Sequence, residues 1–305
     1  MLRVLILLLI TALTFCVQFG KPEVKSVTNC WGKVTNSETE ILTEIIVYNP
    51  NPIPLPLKDV LTEIYMNDLK MGEGKALKAE MPPGNSSLII STKIDNSKIP
   101  EWWVTHVKSG EVTNFKFKGY VVFDLKITEF RYPFERSILI KTDLLSIVSD
   151  QKIKVGPSAL TLKSLSFHWG KVEKDYTEVL TTAKIYNENP FPVSITKLRY
   201  SLEMNEVKIA EEIKKIETVI PPKAESTLNF TIKMNNEMLD DWFASHVENR
   251  ERTNFKILLE FMEVFGSEIF VKSESSFETA IFGCYLADST TTFGGSLKDL
   301  KNITK

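Results

Sequence analysis

The stretch Val47–Pro54, "VYNPNPIP", decides how this chain is read, because Ile185–Pro192 writes it again as "IYNENPFP", 138 residues further on. Proline has no N–H to give a sheet ladder, so an apolar run meeting Pro50, Pro52, Pro54 and Pro56 has to stop pairing there. Asn49 and Asn51 suit a turn in which the side chain bonds nearby backbone, while each following proline biases them toward extended conformations. The phrase is therefore an ordered exit from a strand. Its recurrence raises the prospect of a repeated unit.

Other landmarks repeat in the same order. "WGKV" occurs at Trp31–Val34 and Trp169–Val172, and "MNDLK" at Met66–Lys70 answers "MNEVK" at Met204–Lys208, all 138 apart. "PPG" at Pro82–Gly84 faces "PPK" at Pro221–Lys223, one residue out of step. "EWWVTHV" at Glu101–Val107 matches "DWFASHV" at Asp241–Val247, and "TNFK" recurs at Thr113 and Thr253, both 140 apart. Small loop insertions account for the drift. The chain reads as a tandem duplication, with units at 22–150 and 151–285 and a polar, Gly- and Thr-rich tail at 286–305.

Each unit is strand-rich. "TEILTEIIVYN" is built of strong β formers; after it, Val60, Thr62, Ile64 and Met66 fall on one face of a strand, with Leu61, Glu63 and Tyr65 on the other. Asn67-Asp68 then predicts a tight hairpin. "SLIISTKI" and its counterpart "STLNFTIKM" follow the proline turns, and Leu228, Phe230 and Ile232 alternate with Asn229, Thr231 and Lys233. "NFKFKGYVVFDLK" with "RSILIKTDLL", and "NFKILLEFMEVF" with "SEIFVKSESSFE", are read as further strands. "PEWWVTHVKSG" instead carries Trp102, Trp103, His106 and Val107 at helical spacing, with Pro100 in front and Gly110 behind. The fold expected is all-β: two tandem antiparallel β-sandwiches of fibronectin-III or immunoglobulin type, each capped by a short helix.

The bulk numbers suit such a chain. With 305 residues, 43% hydrophobic and 25% charged, it can bury two ordinary cores. Its 37 basic and 39 acidic residues leave a net charge of −2, so nothing global draws it to nucleic acid or anionic lipid. Residues 1–20 stand apart: Arg3 precedes the apolar run Val4–Val17, the layout of a secretory signal. No small-x-small site closes the run, so an uncleaved anchor or lipid attachment at Cys16 stays open, and membrane contact is expected only through this segment. Once Cys16 is set aside, Cys30 and Cys284 remain. They can bridge in an oxidising compartment, although two separate buried thiols are the simpler reading.

Catalytic and metal-binding patterns are not evident. His106 and His246 occupy equivalent places in separate units, with His168 elsewhere, so the histidines read as packed residues rather than a cluster. There is no HExxH, calcium loop, phosphate-binding glycine loop or Gly-x-Ser-x-Gly elbow. Phe115 and Phe117 alternate with Lys116 and Lys118, but the second copy puts Ile257 and Leu258 where Phe117 and Lys118 stand, so core packing fits better than a nucleic-acid platform. Trp31 and Trp169 are expected to pack at corresponding corners of the two sandwiches. Trp102-Trp103, and with them Trp242-Phe243, form a candidate interaction patch if one ring points outward. No enzyme activity and no cofactor are expected.

The strand running into Tyr-Asn-Pro-Asn-Pro-Ile-Pro at 48–54, and its copy at 186–192, resemble the signature of the late embryogenesis abundant type 2 family, which carries the water-stress and hypersensitive-response domain. The hairpins after them and the "PPGNSS" and "PPKAES" turns resemble the same family, in both units. The resemblance implies a non-catalytic β-sandwich associated with desiccation or osmotic stress, with Asn49, Pro50, Asn51, Pro52, Asn187, Asn189 and Pro190 as structural signature positions. Two functions follow as expectations: an exported stress-protection protein acting by weak protein or surface contacts, or an envelope-associated interaction or adhesion module. Either would be secreted or held at the cell envelope.

Overall fold

The computed structural model describes residues 20–78, 80–124, 128–149, 160–263 and 268–279. The N-terminal segment, the linker before residue 160, Cys284 and the tail at 286–305 lie outside them.

The first unit runs β1 (Glu23–Val34), β2 (Glu38–Asn49), β3 (Leu57–Met66), β4 (Leu69–Lys78), β5 (Gly84–Asp95), α1 (Ile99–Lys108), β6 (Val112–Asp124) and β7 (Glu129–Lys141). A short helix, α2 (Leu144–Ser149), follows. The second repeats the order as β8 (Leu160–Val172), β9 (Tyr176–Asn187), β10 (Val193–Met204), β11 (Val207–Ile220), β12 (Glu225–Asn235), α3 (Leu239–Glu248), β13 (Arg252–Glu263) and β14 (Glu268–Glu278). Every strand pairing is antiparallel. Asn67 and Asp68, like Asn205 and Glu206, take the left-handed conformation that a two-residue hairpin turn of matching twist needs. Two expectations change here. Leu144 and Leu145, read as the end of a strand, open a helix, and Glu23–Val34 forms a strand that the sequence pattern does not announce.

The two copies differ in how their sheets join. In the first, β1-β2-β5-β4-β3-β6-β7 is one seven-stranded sheet, not the two separate sheets of a simple sandwich. In the second, β8-β9-β12 and β11-β10-β13-β14 are separate. Glycine explains the difference. A Cβ on Gly72 would lie 1.8 Å from the Lys93 carbonyl oxygen, and one on Gly74 would lie 2.4 Å from that of Ser91. Bare backbone is what lets β4 reach β5. The second copy has Ala210 and Glu212 at these places, and side chains span the gap instead: the Lys233 N–H donates to Tyr200 Oη (3.3 Å), and Lys214 Nζ donates to the Thr231 carbonyl (2.7 Å).

The alternation read from the sequence sets the core. Val60, Thr62, Ile64 and Met66 are buried, as are Leu228, Phe230 and Ile232. At the far end of the first unit, Ile45, Val47, Val60, Leu88, Val121 and Phe123 form a cluster of their own. From Ile41 and Ile64 onward the apolar packing continues without a break through α1 and α3 into the second unit. The two units share one core where their helices meet.

Candidate functional site

Each unit has two poles. The outer pole carries the Asn-Pro phrase, and the inner pole carries the aromatic helix that faces the other unit.

At the outer pole, Asn49 is buried. Its Nδ2 donates to the carbonyls of Ile53 (3.0 Å), Met81 (3.1 Å) and Pro82 (3.3 Å), and its Oδ1 accepts from the Asn51 N–H (3.0 Å) and Asn51 Nδ2 (2.8 Å). Asn187 repeats this, donating to Phe191 (2.8 Å), Ile220 (3.1 Å) and Pro221 (3.2 Å) and accepting from the Asn189 N–H (2.9 Å). The prolines end the ladder, and one asparagine ties the freed loop to the next turn. Between Pro52 and Pro54, and between Pro190 and Pro192, the loop presents one apolar side chain, Ile53 or Phe191, to solvent.

At the inner pole, Trp102 and Trp103 point to different neighbours, and both are buried. Trp103 meets Trp169 and Trp242 edge-on, with ring centroids 5.9 and 5.8 Å apart. In the mirror arrangement Phe243 meets Trp31 and Trp102, at 6.2 and 6.3 Å. Edge-to-face pairs of this kind add about 0.5–1.5 kcal/mol each beyond their buried area. The expected outward patch at Trp102, Trp103, Trp242 and Phe243 is therefore corrected: these rings are covered because each unit supplies the other's lid. Trp31 and Trp169, too, reach across the seam rather than closing corners of their own sandwiches.

Two buried glutamates lock the seam reciprocally. Trp31 Nε1 donates to Glu251 Oε1, and Trp169 Nε1 donates to Glu111 Oε1, both at 2.8 Å. Glu111 and Glu251 sit at φ 59° and 58°, each preceded by another left-handed residue, Gly110 or Arg250. A β-carbon in that region is strained, and surrounding bonds must hold it there. Glu111 Oε2 also accepts from Thr142 Oγ1 (2.8 Å) and the Leu144 N–H (2.7 Å). Sequence reasoning missed both glutamates. Their one signal was the repeat itself, which sets Glu111 and Glu251 140 residues apart.

His106 lies behind this pair. Trp102 Nε1 donates to Thr113 Oγ1 (2.9 Å), leaving the Thr113 proton for His106 Nδ1 (2.8 Å), while His106 Nε2 faces Thr142 Oγ1 (3.0 Å). The chain of donors is complete only when His106 is neutral with its proton on Nε2. His246 stands in the same setting between Thr253 (2.8 Å) and Thr279 (2.9 Å). Burial pushes both imidazoles down to about 4. The symmetry lapses once. Trp103 Nε1 donates to Thr177 Oγ1 (3.1 Å), which passes its proton to Asn236 Oδ1 (2.9 Å). Phe243 has no N–H to offer at the matching place, and Thr39 Oγ1 and Asn96 Oδ1 there are buried without a protein partner.

The arrangement ties histidine, threonine and glutamate into one polar thread, and the ring nitrogens of His106 and His246 and the Glu111 oxygens all face a donor or acceptor of the protein itself. It can hold two units in register. Among the described residues, no group of three His, Cys, Asp or Glu is gathered as metal ligands would be, and no helix is long and apolar enough to cross a membrane. Cys30 is buried and disulfide-bonded, and Cys284 lies outside the described residues.

The late embryogenesis abundant protein family model matches residues 44–138 and 182–267, one match in each unit. An uncharacterized protein of Methanocaldococcus jannaschii is 25% identical over 138 residues, covering 42% of this chain and 78% of its own. Among solved structures, a protein from Archaeoglobus fulgidus has 30% identity and a TM-score of 0.37, covering 40% of this chain and 99% of that one. A protein from Arabidopsis thaliana has 18% identity and a TM-score of 0.31, covering 41% and 82%.

Proposed function

Because the chain belongs to the late embryogenesis abundant type 2 family, we propose that it is a non-catalytic stress-protection protein, exported, that acts during drying or osmotic shock through weak contacts with other proteins or surfaces. The observation that carries this reading is the family match in both units, and within each matched stretch the side chain of Asn49 or Asn187 is spent on its own loop. The water-stress and hypersensitive-response domain and its fibronectin-III-like sandwich belong to the proposal, as does a secreted or envelope location. The apolar run at Val4–Val17 and the disulfide at Cys30 support that location, since disulfides persist in oxidising compartments. Nucleic acid is not expected as a partner, and a membrane is expected only through the N-terminal segment. A deletion strain tests the reading: survival after drying or osmotic shock falls and is restored by the intact gene, whereas unchanged survival contradicts it.

A second reading, an envelope interaction or adhesion module, is favoured by the exposed Ile53 and Phe191 on their pinned loops at the two outer poles. Crosslinking in the native host separates the two. One abundant partner lost on Ile53→Ser and Phe191→Ser supports the module, and a diffuse set of partners supports general protection.

A further inference from the structure

Three stretches match the Asn-x-Ser/Thr acceptor pattern for N-linked sugar: Asn85-Ser86-Ser87, Asn229-Phe230-Thr231 and Asn302-Ile303-Thr304. The last lies outside the described residues. The structure separates the other two. In β5, Asn85 is exposed, but the Ser87 hydroxyl is spent on Glu44 Oε1 (2.6 Å), and Glu44 is buried. In β12, Asn229 and Thr231 stand two residues apart and so share one face, Asn229 exposed and Thr231 half-buried. Asn229 Oδ1 accepts from Thr182 Oγ1 (2.8 Å), which orients the amide and leaves Nδ2 with no partner among the described residues. β12 is also an edge strand, paired with β9 alone, whereas β5 lies between β2 and β4. The duplication supplies a control: the place of Asn229 is taken in β5 by Ile89, which is 7% exposed. The acceptor pattern stands in the copy whose outer face is open, where His168 is exposed and Leu180 is 44% exposed.

We propose that Asn229 is a glycosylation site and carries an N-linked oligosaccharide. The inference rests on the exported reading, since this modification belongs to secreted chains. The donor is an oligosaccharide joined to a lipid phosphate. Asn229 Nδ2 forms a bond to the first sugar carbon as that carbon's bond to the phosphate oxygen breaks. The electron pair leaves with the lipid phosphate, and one amide proton passes to a base of the transferring enzyme. The amide keeps its carbonyl, so the bond from Thr182 Oγ1 survives and holds the root of the glycan against the sheet. In register beside Asn229 are Thr182 and Ser166, and beside Thr231 are Leu180 and His168. Thr182 and Ser166 are short, so a sugar ring has room above them, within reach of the exposed Leu180. At the edge of β12 that no strand pairs, a bulky solvated group also keeps a second chain from adding to the sheet.

The test is tandem mass spectrometry of peptides from the full-length chain, purified from the cytosolic and exported fractions of its own host. In the exported fraction, the peptide that contains Asn229 is expected to carry hexose or N-acetylhexosamine mass. Asn229→Gln and, separately, Thr231→Ala are each expected to abolish it. The second variant keeps the acceptor amide, so its loss of sugar reports the pattern and not a missing asparagine; sugar that persists on Thr231→Ala overturns the assignment. Asn229 bare in an exported chain overturns the site and leaves the exported reading standing, whatever Asn85 and Asn302 carry. A chain found only in the cytosol overturns both.

Discussion

Acidification from pH 7 to pH 5 should loosen this protein through two residues, His106 and His246. Each is held neutral inside the seam, with its pKa pushed to about 4 by burial against an ordinary value of 6.5. The native state therefore resists protonation that the unfolded chain accepts, the unfolded chain binds more protons between the two values, and stability rises with pH across that window. The contribution is whole above pH 6.5, is lost progressively as pH falls toward 4, and changes little below that. At pH 5 the loss is about 2 kcal/mol for each histidine, or about 4 kcal/mol for the pair. Urea unfolding at pH 7 and pH 5 measures it, and a His106→Gln, His246→Gln double variant isolates it from the carboxylates that titrate nearby. The intact protein should lose about 4 kcal/mol more than the double variant over this interval. A double variant with the full acid sensitivity of the original would refute the reasoning.

Other perturbations follow from the same geometry. Glu111→Ala leaves the Trp169 N–H, the Thr142 hydroxyl and the Leu144 N–H without their acceptor, and should cost about 3–5 kcal/mol in urea unfolding, with Glu111→Gln costing less. Trp103→Phe makes the second unit resemble the first, leaving Thr177 without its donor, and should cost about 1–2 kcal/mol by the same assay. Gly72→Ala drives a methyl group into the Lys93 carbonyl, so amide exchange across β4 and β5 should speed up strongly while β11 and β12 are unaffected.

The duplication, the hairpins and the strand exits were legible because they rest on local chemistry: prolines that cannot pair, Asn67-Asp68 that tolerates left-handed backbone, and alternation in Val60–Met66. The unequal sheets were written there as well, in Gly72 and Gly74 set against Ala210 and Glu212, though only the structure shows which approach those glycines permit. The strand Glu23–Val34 was not legible, since an edge position lets it carry Lys25, Asn29 and Gly32 and so hides its period. Nor was the seam. Trp102-Trp103 looks like an exposed ring from one unit alone, and becomes core only when the other unit supplies Trp242 and Phe243. Glu111 and Glu251 look like ordinary surface acids until their partners, Trp169 and Trp31, arrive from 58 and 220 residues away.

The central claim is that the two units form one body through the reciprocal Trp–Glu seam. A protease site placed between residues 150 and 159, cut in the purified protein with reductant present so that no disulfide joins the halves, measures this directly. The two halves should elute together from a sizing column at micromolar concentration and melt in a single transition, and Trp31→Ala with Trp169→Ala should part them. Halves that separate on cleavage in the unmutated protein, or that melt independently, would contradict the account.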